Sequence, residues 1–426
     1  YLTLIKKKEV KTTDGSLLYE QASYFSILSK GSKRYESLLM KRTETDKLKG
    51  TTVSERFEGY YVGIPRGVTT TTNNYSEKRK TTVFNVETAT QRLLGLPLEV
   101  TILKRKVGKE PWPELTLYNY DALYNLQSKE TCISSRDNRI YQDSYTYDSF
   151  GNILTASVRP YGSDNQLKTS YKYSANGLNL IEKTDPMGFK TSYFYDERGL
   201  LTQRKDFRGN ATTFSYDDMG ELVQTSYPEG VIEKRNVSWE TSVPEALYSV
   251  RINSSKEPES VAYYNLMGQE VKTGIRQYNG RMLYVDNTYD TNCLLQKKSL
   301  PYTGSSASLW DTYTYDQFDR LTKIKYASGR EDTYSYSGTS ITENKNGIQT
   351  VRTTDSRGKL IKVTDASGTV CYSYLSNGSP DSISVNDAIY TTFDYDEYGR
   401  QIKLIDPNTG TKTMTYDHCG NVASET

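Results

Sequence analysis

The side chains that could do chemistry are few, or too many to single out. One histidine, His418, would have to serve any Ser-His-Asp triad or histidine-based metal site. It occupies a variable position of YDHCG, Tyr416–Gly420, which reads as an exposed loop. Asp394, Asp396 and Gly399 match positions one, three and six of a calcium-binding loop, but Tyr398 and Ile405 stand where positions five and twelve need oxygen ligands. Cys132, Cys293, Cys371 and Cys419 lie far apart, without a CxxC pair for zinc or redox chemistry, and disulfides among them stay open. The 52 acidic residues can be paired on paper into a glycosidase site, yet their spacing favours no pair. No catalytic, cofactor-binding or metal-binding residue is assigned, and no cofactor is expected.

What stands out instead is a recurring pentapeptide of tyrosine, aspartate, two variable residues and glycine. It reads YDSFG at Tyr147, YDERG at Tyr195, YDDMG at Tyr216, YDEYG at Tyr395 and YDHCG at Tyr416. Looser copies begin at Tyr120, Tyr173, Tyr264, Tyr289, Tyr315, Tyr336, Thr354 and Tyr374, and the commonest interval is 21 residues. An aromatic stands two residues ahead of many of these tyrosines, as in Tyr193/Tyr195 and Phe393/Tyr395, which places both rings on one face of a strand.

Second glycines follow ten or eleven residues later, as in DFRG at Gly209, DPMG at Gly188 and DPNTG at Gly410. Two strands of about five residues, each closed by a glycine turn, fill such a repeat. The aspartate can accept main-chain NH groups of the turn, and the glycine supplies positive φ. In YDQFD, Asp319 stands at the glycine position, and in YDTNC the position falls to Asn292 and Cys293. A catalytic motif would not vary so freely.

The elements that carry these turns must be strands. The chain holds 38 tyrosines against 10 phenylalanines, and tyrosine suits a pleated surface on which its hydroxyl stays wet. No helical periodicity appears. About a dozen repeats of two strands, at roughly 4.8 Å per strand, make a strip roughly 115 Å wide, which must curl, coil or close. The fold class expected is all-β, a YD-repeat β-strip wound into a hollow shell or spiral with a β-rich lead-in. Residues 1–116 form that lead-in, with turns at Asp14 and Pro65, and residues 117–426 form the repeats, degenerate around 231–262. Extra loop is expected in GSDNQLK from Gly162 and GSSASLW from Gly304.

Lysine and arginine number 54 against 52 acidic residues, a net charge of +2. The short basic runs Lys6–Lys8, Lys78–Lys80 and Lys104–Lys106 read as solvated strand ends or edge-blocking charges, and no nucleic-acid partner is expected. No apolar run approaches the roughly 20 residues that span a bilayer. Opening on Tyr1 without an initiator methionine, the chain reads as a piece of something longer.

The in-register YDxxG and DPMG-type turns resemble the RHS or YD-repeat family over nearly three quarters of the chain. Within it, RFEGYYVGIPRG from Arg56, LLGLPLEV from Leu93 and TYTYDQFDRLTKIKYASGR from Thr312 look most like the B component of bacterial insecticidal toxin complexes. That resemblance implies a secreted, non-catalytic shell that encloses a C-terminal cytotoxic cargo or C component and hands it to a translocation pore. The alternative is an extracellular adhesion or carbohydrate-binding repeat protein, whose tyrosine ladders would stack on surface sugar.

Overall fold

The computed structural model describes residues 4–12, 15–29, 35–60, 64–87, 92–133, 135, 139–160, 164–417 and 420–426. Among them the chain forms 35 β-strands and no helix, so the all-β expectation holds. Strands pair antiparallel with their sequence neighbours, from Lys7–Lys11 on Leu17–Ser29 to Gly410–Tyr416 on Val422–Glu425. The expected turns Asp14 and Gly162, and the side chains His418 and Cys419, lie outside the described residues.

The two halves of the strand pattern differ in length. Early strands are long, such as Tyr75–Glu87 and Arg92–Lys106. Repeat strands are short, such as Leu180–Thr184, Leu201–Lys205 and Leu222–Ser226, with 5 residues each. A repeating tyrosine closes the incoming strand in Lys190–Tyr195, Ala211–Tyr216, Trp310–Tyr315 and Gly410–Tyr416. Tyr336 departs from this rule: its strand runs on to Ser337 and turns tightly over Gly338 into Ser340–Lys345.

The chain divides into two units. One comprises Tyr1–Thr146, Ala156–Leu167 and Ser335–Thr426, and the other Tyr147–Thr155 and Lys168–Tyr334. In the first, Leu115 and Leu117 alternate inward along Trp112–Tyr120 and pack with Cys132. In the second, Val261, Tyr263 and Val271 form a cluster joined by Met282 and Tyr284. Residues 231–262 hold the hairpin Ile232–Trp239 and Tyr248–Ser254. Its longer loop is braced by Glu240, which accepts the NH groups of Thr241 and Ser242 at 3.0 and 2.7 Å.

These clusters are small. Most side chains on both faces of the strands remain half-buried or exposed. Cohesion must therefore come from the ladder and from whatever joins one hairpin to the next.

Candidate functional site

The joining chemistry sits in the turns. In ten of the described turns, one carboxylate oxygen of Asp121, Asp148, Asp185, Asp196, Asp206, Asp217, Asp290, Asp316, Asp355 or Asp396 accepts two main-chain NH groups, two and four residues ahead, at 2.8–3.0 Å. Asn265 does the same through its amide oxygen. Asp185 and Asp206 head the second turn of their repeats, so the device is DxxG and the tyrosine marks only one of its two uses.

The main chain completes the turn. Asp196 accepts the Gly199 NH and donates its own NH to Leu200, at 3.0 Å each. Gly199 takes φ +81°, and the ladder then slips between Phe194 and Tyr195, where Tyr195 faces Leu201. This is a tight turn followed by a glycine bulge, a common way to close an antiparallel pair. Where glycine is missing, Tyr124, Cys293 and Asp319 adopt φ of 65°, 64° and 61°. The left-handed residue in YDTNC is thus Cys293, while Asn292 supplies an NH to Asp290.

The bulge also supplies an acceptor for the next repeat. The hydroxyl of Tyr216 donates to the Leu201 carbonyl at 2.9 Å, Tyr315 to Leu295 at 2.9 Å, Tyr374 to Leu360 at 2.7 Å and Tyr416 to Gln401 at 2.6 Å. Each acceptor is the first strand residue after the preceding turn. Ring stacking occurs elsewhere, between Phe189 and Phe207 with centroids 4.2 Å apart and between Tyr248 and Tyr264 at 5.0 Å.

A second lateral tie uses the residue after the turn glycine. Asn152 Nδ2 donates to the Gly177 carbonyl at 2.8 Å, Gln269 Nε2 to that of Cys293 at 2.8 Å and Lys359 Nζ to that of Gly378 at 2.7 Å. Arg198 reaches the Asp217 carbonyl at 3.0 Å. Sequence reading passed over this position because its residue type changes: Asn152, Gln269 and Lys359 donate from it, whereas Leu200 and Glu221 occupy it after Gly199 and Gly220.

Within the first unit, strands far apart in sequence meet. The Lys106 NH donates to Ser376 Oγ at 3.1 Å, its Nζ to the Tyr374 carbonyl at 2.9 Å, and Lys109 pairs with Asp381 at 2.5 Å. Lys104 is paired with Glu114 at 2.6 Å. This corrects the reading of Lys104–Lys106 as solvated charge in part: Lys104 and Lys106 are half-buried, Lys106 against the Tyr374–Gly378 turn, while Arg105 between them stays exposed. Lys78 fits the simpler reading, exposed and 3.2 Å from Glu58.

In the second unit, Lys272 Nζ donates to Tyr302 Oη at 2.8 Å, and Tyr302 donates to Asp286 Oδ2 at 2.7 Å. Burial first, then the Asp286 carboxylate, drives the Tyr302 phenol far above the usual tyrosine range. The trio anchors the loop 300–309 through the bridge of Tyr302 to Tyr284. Residues thirty apart carry no sequence signal of such a meeting.

The calcium-like Asp396 spends its carboxylate on the NH groups of Tyr398 and Arg400 and on Arg400 Nε at 2.7 Å. Cys293 is exposed and Cys371 half-buried, neither in a disulfide. Among the described residues no group of three His, Cys, Asp or Glu side chains could hold a metal ion.

Residues 173–211 match the family model described as RHS Repeat. No curated protein matches the sequence. The crystal structure of TcdB2-TccC3-TEV is similar over 98% of this chain and 34% of that chain, with a TM-score of 0.68 and 11% identity. That of TcdB2-TccC3 gives a TM-score of 0.63 at 13% identity, covering 98% of this chain and 32% of that one. TcdB2-TccC3 without the hypervariable C-terminal region gives 0.63 at 12%, covering 98% and 34%. The chain spans about a third of the length of these structures, and at such identities the likeness is one of fold. The resemblance to the RHS or YD-repeat family, and in fold to toxin-complex structures, is borne out.

Proposed function

We propose that this chain is a non-catalytic wall segment of a secreted bacterial RHS or toxin-complex protein, one that encapsulates and helps deliver a C-terminal cytotoxic cargo. Residues 1–116 serve as lead-in and residues 117–426 as the repeat wall. Its partners in this reading are the cargo or a C component and a translocation-pore component. Among the described residues no helix is long and apolar enough to cross a membrane.

The observation that carries the reading is that the described residues form 35 strands with no covering helix, and that most of their side chains stay half-buried or exposed. Such a sheet gains little from a core and much from repetition along its length, which suits a wall. The turn aspartates support the non-catalytic part, because one oxygen of each is committed to two main-chain NH groups, and in Asp196 and Asp396 the other meets an arginine of the same turn.

Small-angle scattering on the whole chain tests the wall. A solid globule of this length has a radius of gyration of about 22 Å. The expected value is well above that, with a pair-distance distribution of a hollow body; a value near 22 Å would overturn the proposal. Electron microscopy of the chain assembled with its proposed partners should then reveal an internal cavity.

A further inference from the structure

We infer that the first unit carries a binding cleft for a small oxyanion-bearing ligand, at the place where the loops near Lys49 and Asn74 meet the turn Thr354–Gly358. The cleft has a volume of about 390 Å³, in the range of sites that take small molecules. Its charged lining residues are Lys49, Lys106 and Arg357 on one side of the balance and Asp355 on the other.

Asp355 does not neutralise the cleft. One of its oxygens accepts the NH groups of Arg357 and Lys359 at 2.9 Å each, and the other holds Arg357 Nε and Nη2 at 3.2 and 3.1 Å. The same guanidinium lies over the Tyr75 ring, 4.2 Å from its centroid, so its plane is fixed.

Lys106 is the ammonium left over. Its Nζ donates to the Tyr374 carbonyl and lies 5.6 Å from the Tyr374 centroid, neutral partners both. Burial, and then the Arg357 charge, hold it below the usual lysine range, with Asp355 and Asp381 opposing and Lys109 adding to the depression. Lys49, with 66% of its side chain exposed and its Nζ 3.8 Å from Asp46, adds a third cation at the rim.

Hydroxyl and amide groups complete the lining, from Thr51, Asn73, Asn74 and Ser356. A carboxylate, sulfate or phosphate seated between Lys106 and Lys49 would gain charge-assisted hydrogen bonds. The remaining polar groups suit a ligand of about one sugar ring. Two sources share this chemistry: a free inorganic oxyanion and an acidic monosaccharide. The inference is independent of the wall reading and survives or fails without it.

Titration calorimetry on the whole chain at low salt tests it, with inorganic phosphate, glucuronate and glucose as probes. Phosphate and glucuronate are expected to bind with an affinity that falls as salt rises, and glucose is expected not to bind. Tighter binding of glucuronate marks an acidic sugar as the ligand, and tighter binding of phosphate a free oxyanion. Lys106→Met should weaken the anions roughly tenfold and Lys49→Gln roughly threefold. Lys49→Gln removes only an exposed charge, so it reads out even if Lys106→Met fails to fold. Lys168→Gln, an exposed lysine outside the cleft, should change nothing. Absence of anion binding, binding untouched by Lys49→Gln, or glucose binding as well as glucuronate would each overturn the inference.

Discussion

The hydroxyl of Tyr195 lies 2.9 Å from the main-chain oxygen of Leu180, fifteen residues upstream in the preceding repeat. Leu180 faces Tyr173 where the ladder slips out of register. The bulge that lets the chain turn thus leaves a carbonyl for the next tyrosine, and each repeat is bonded to its neighbour by the feature that ends it. A sheet without a large core depends on such ties.

Removing one tie should have a measurable and repeatable cost. Tyr195→Phe and Tyr216→Phe keep the rings and delete the bonds to Leu180 and Leu201, and each should lower stability by about 1 kcal/mol in urea unfolding. A loss well below that in both variants would mean that water replaces the phenol and that the tie is incidental.

The turn aspartates tie stability to acid. The NH of Leu200, followed by the Arg198 side chain, holds the Asp196 carboxyl below the usual aspartate range, against an opposing effect of burial. Asp406 is lowered in the same sense by the Asn408 NH and the Thr391 hydroxyl. A lowered folded-state pKa contributes stability above the unfolded value of about 3.9 and loses it as pH falls through the folded value. Stability should therefore decline from about pH 4 downward. Asp196→Asn, which keeps the acceptor as Asn265 does, should flatten part of that slope, whereas Asp196→Ala should destabilise at neutral pH too.

Phenols set the alkaline limit. Burial, with help from Glu77, pushes Tyr75 up to about 12. Burial likewise raises Tyr195 and Tyr315. A raised folded-state pKa contributes stability below the unfolded value of about 10 and loses it as pH rises through the folded one. The late part of the rise in absorbance at 295 nm should track unfolding above about pH 10. Tyr75→Phe should remove one group from that late component, and loss from the early part of the rise instead would contradict the burial of Tyr75.

How much of this was legible depends on distance along the chain. The DxxG turn was readable because all its partners lie within four residues, and aspartate and glycine are each there for a local reason. The lateral bonds were half readable: the tyrosine repeats, but its acceptor is a carbonyl, which sequence does not mark. Asn152, Gln269 and Lys359 share a role without sharing a residue type. The meeting of Lys106 with Ser376, and of Lys272 with Tyr302, was invisible, since it follows from how strands are placed and not from local preference.

The left-handed position offers a test in the stabilising direction. Cys293 sits at φ 64° in an exposed turn, where a side chain costs about 1–2 kcal/mol relative to glycine. Glycine loses some of that gain through its freer unfolded chain, so Cys293→Gly should stabilise by about 0.5–1 kcal/mol. The reverse change, Gly199→Ala, has no clash to confound it, because the nearest atom to an added Cβ is Asn179 Oδ1 at 3.9 Å. It should destabilise by a similar or larger amount, and opposite signs for the two variants in thermal unfolding are the expected result.

Ser376 carries the last prediction, because it is 1% exposed and its hydroxyl oxygen accepts the Lys106 NH across 270 residues of sequence. Local turn strength cannot supply that contact; it exists only if the end of Arg92–Lys106 and the turn after Tyr374 are docked. Ser376→Ala leaves the NH buried without its acceptor, at a cost of about 1–3 kcal/mol. Hydrogen exchange separates docking from general weakening. Docking predicts that protection falls at Lys106 and nearby in Trp112–Tyr120, while the strand Lys190–Tyr195 of the other unit keeps its protection. Uniform loss in both places would show that the variant merely lowers global stability, and unchanged protection at Lys106 would show that this contact does not hold the two strand ends together.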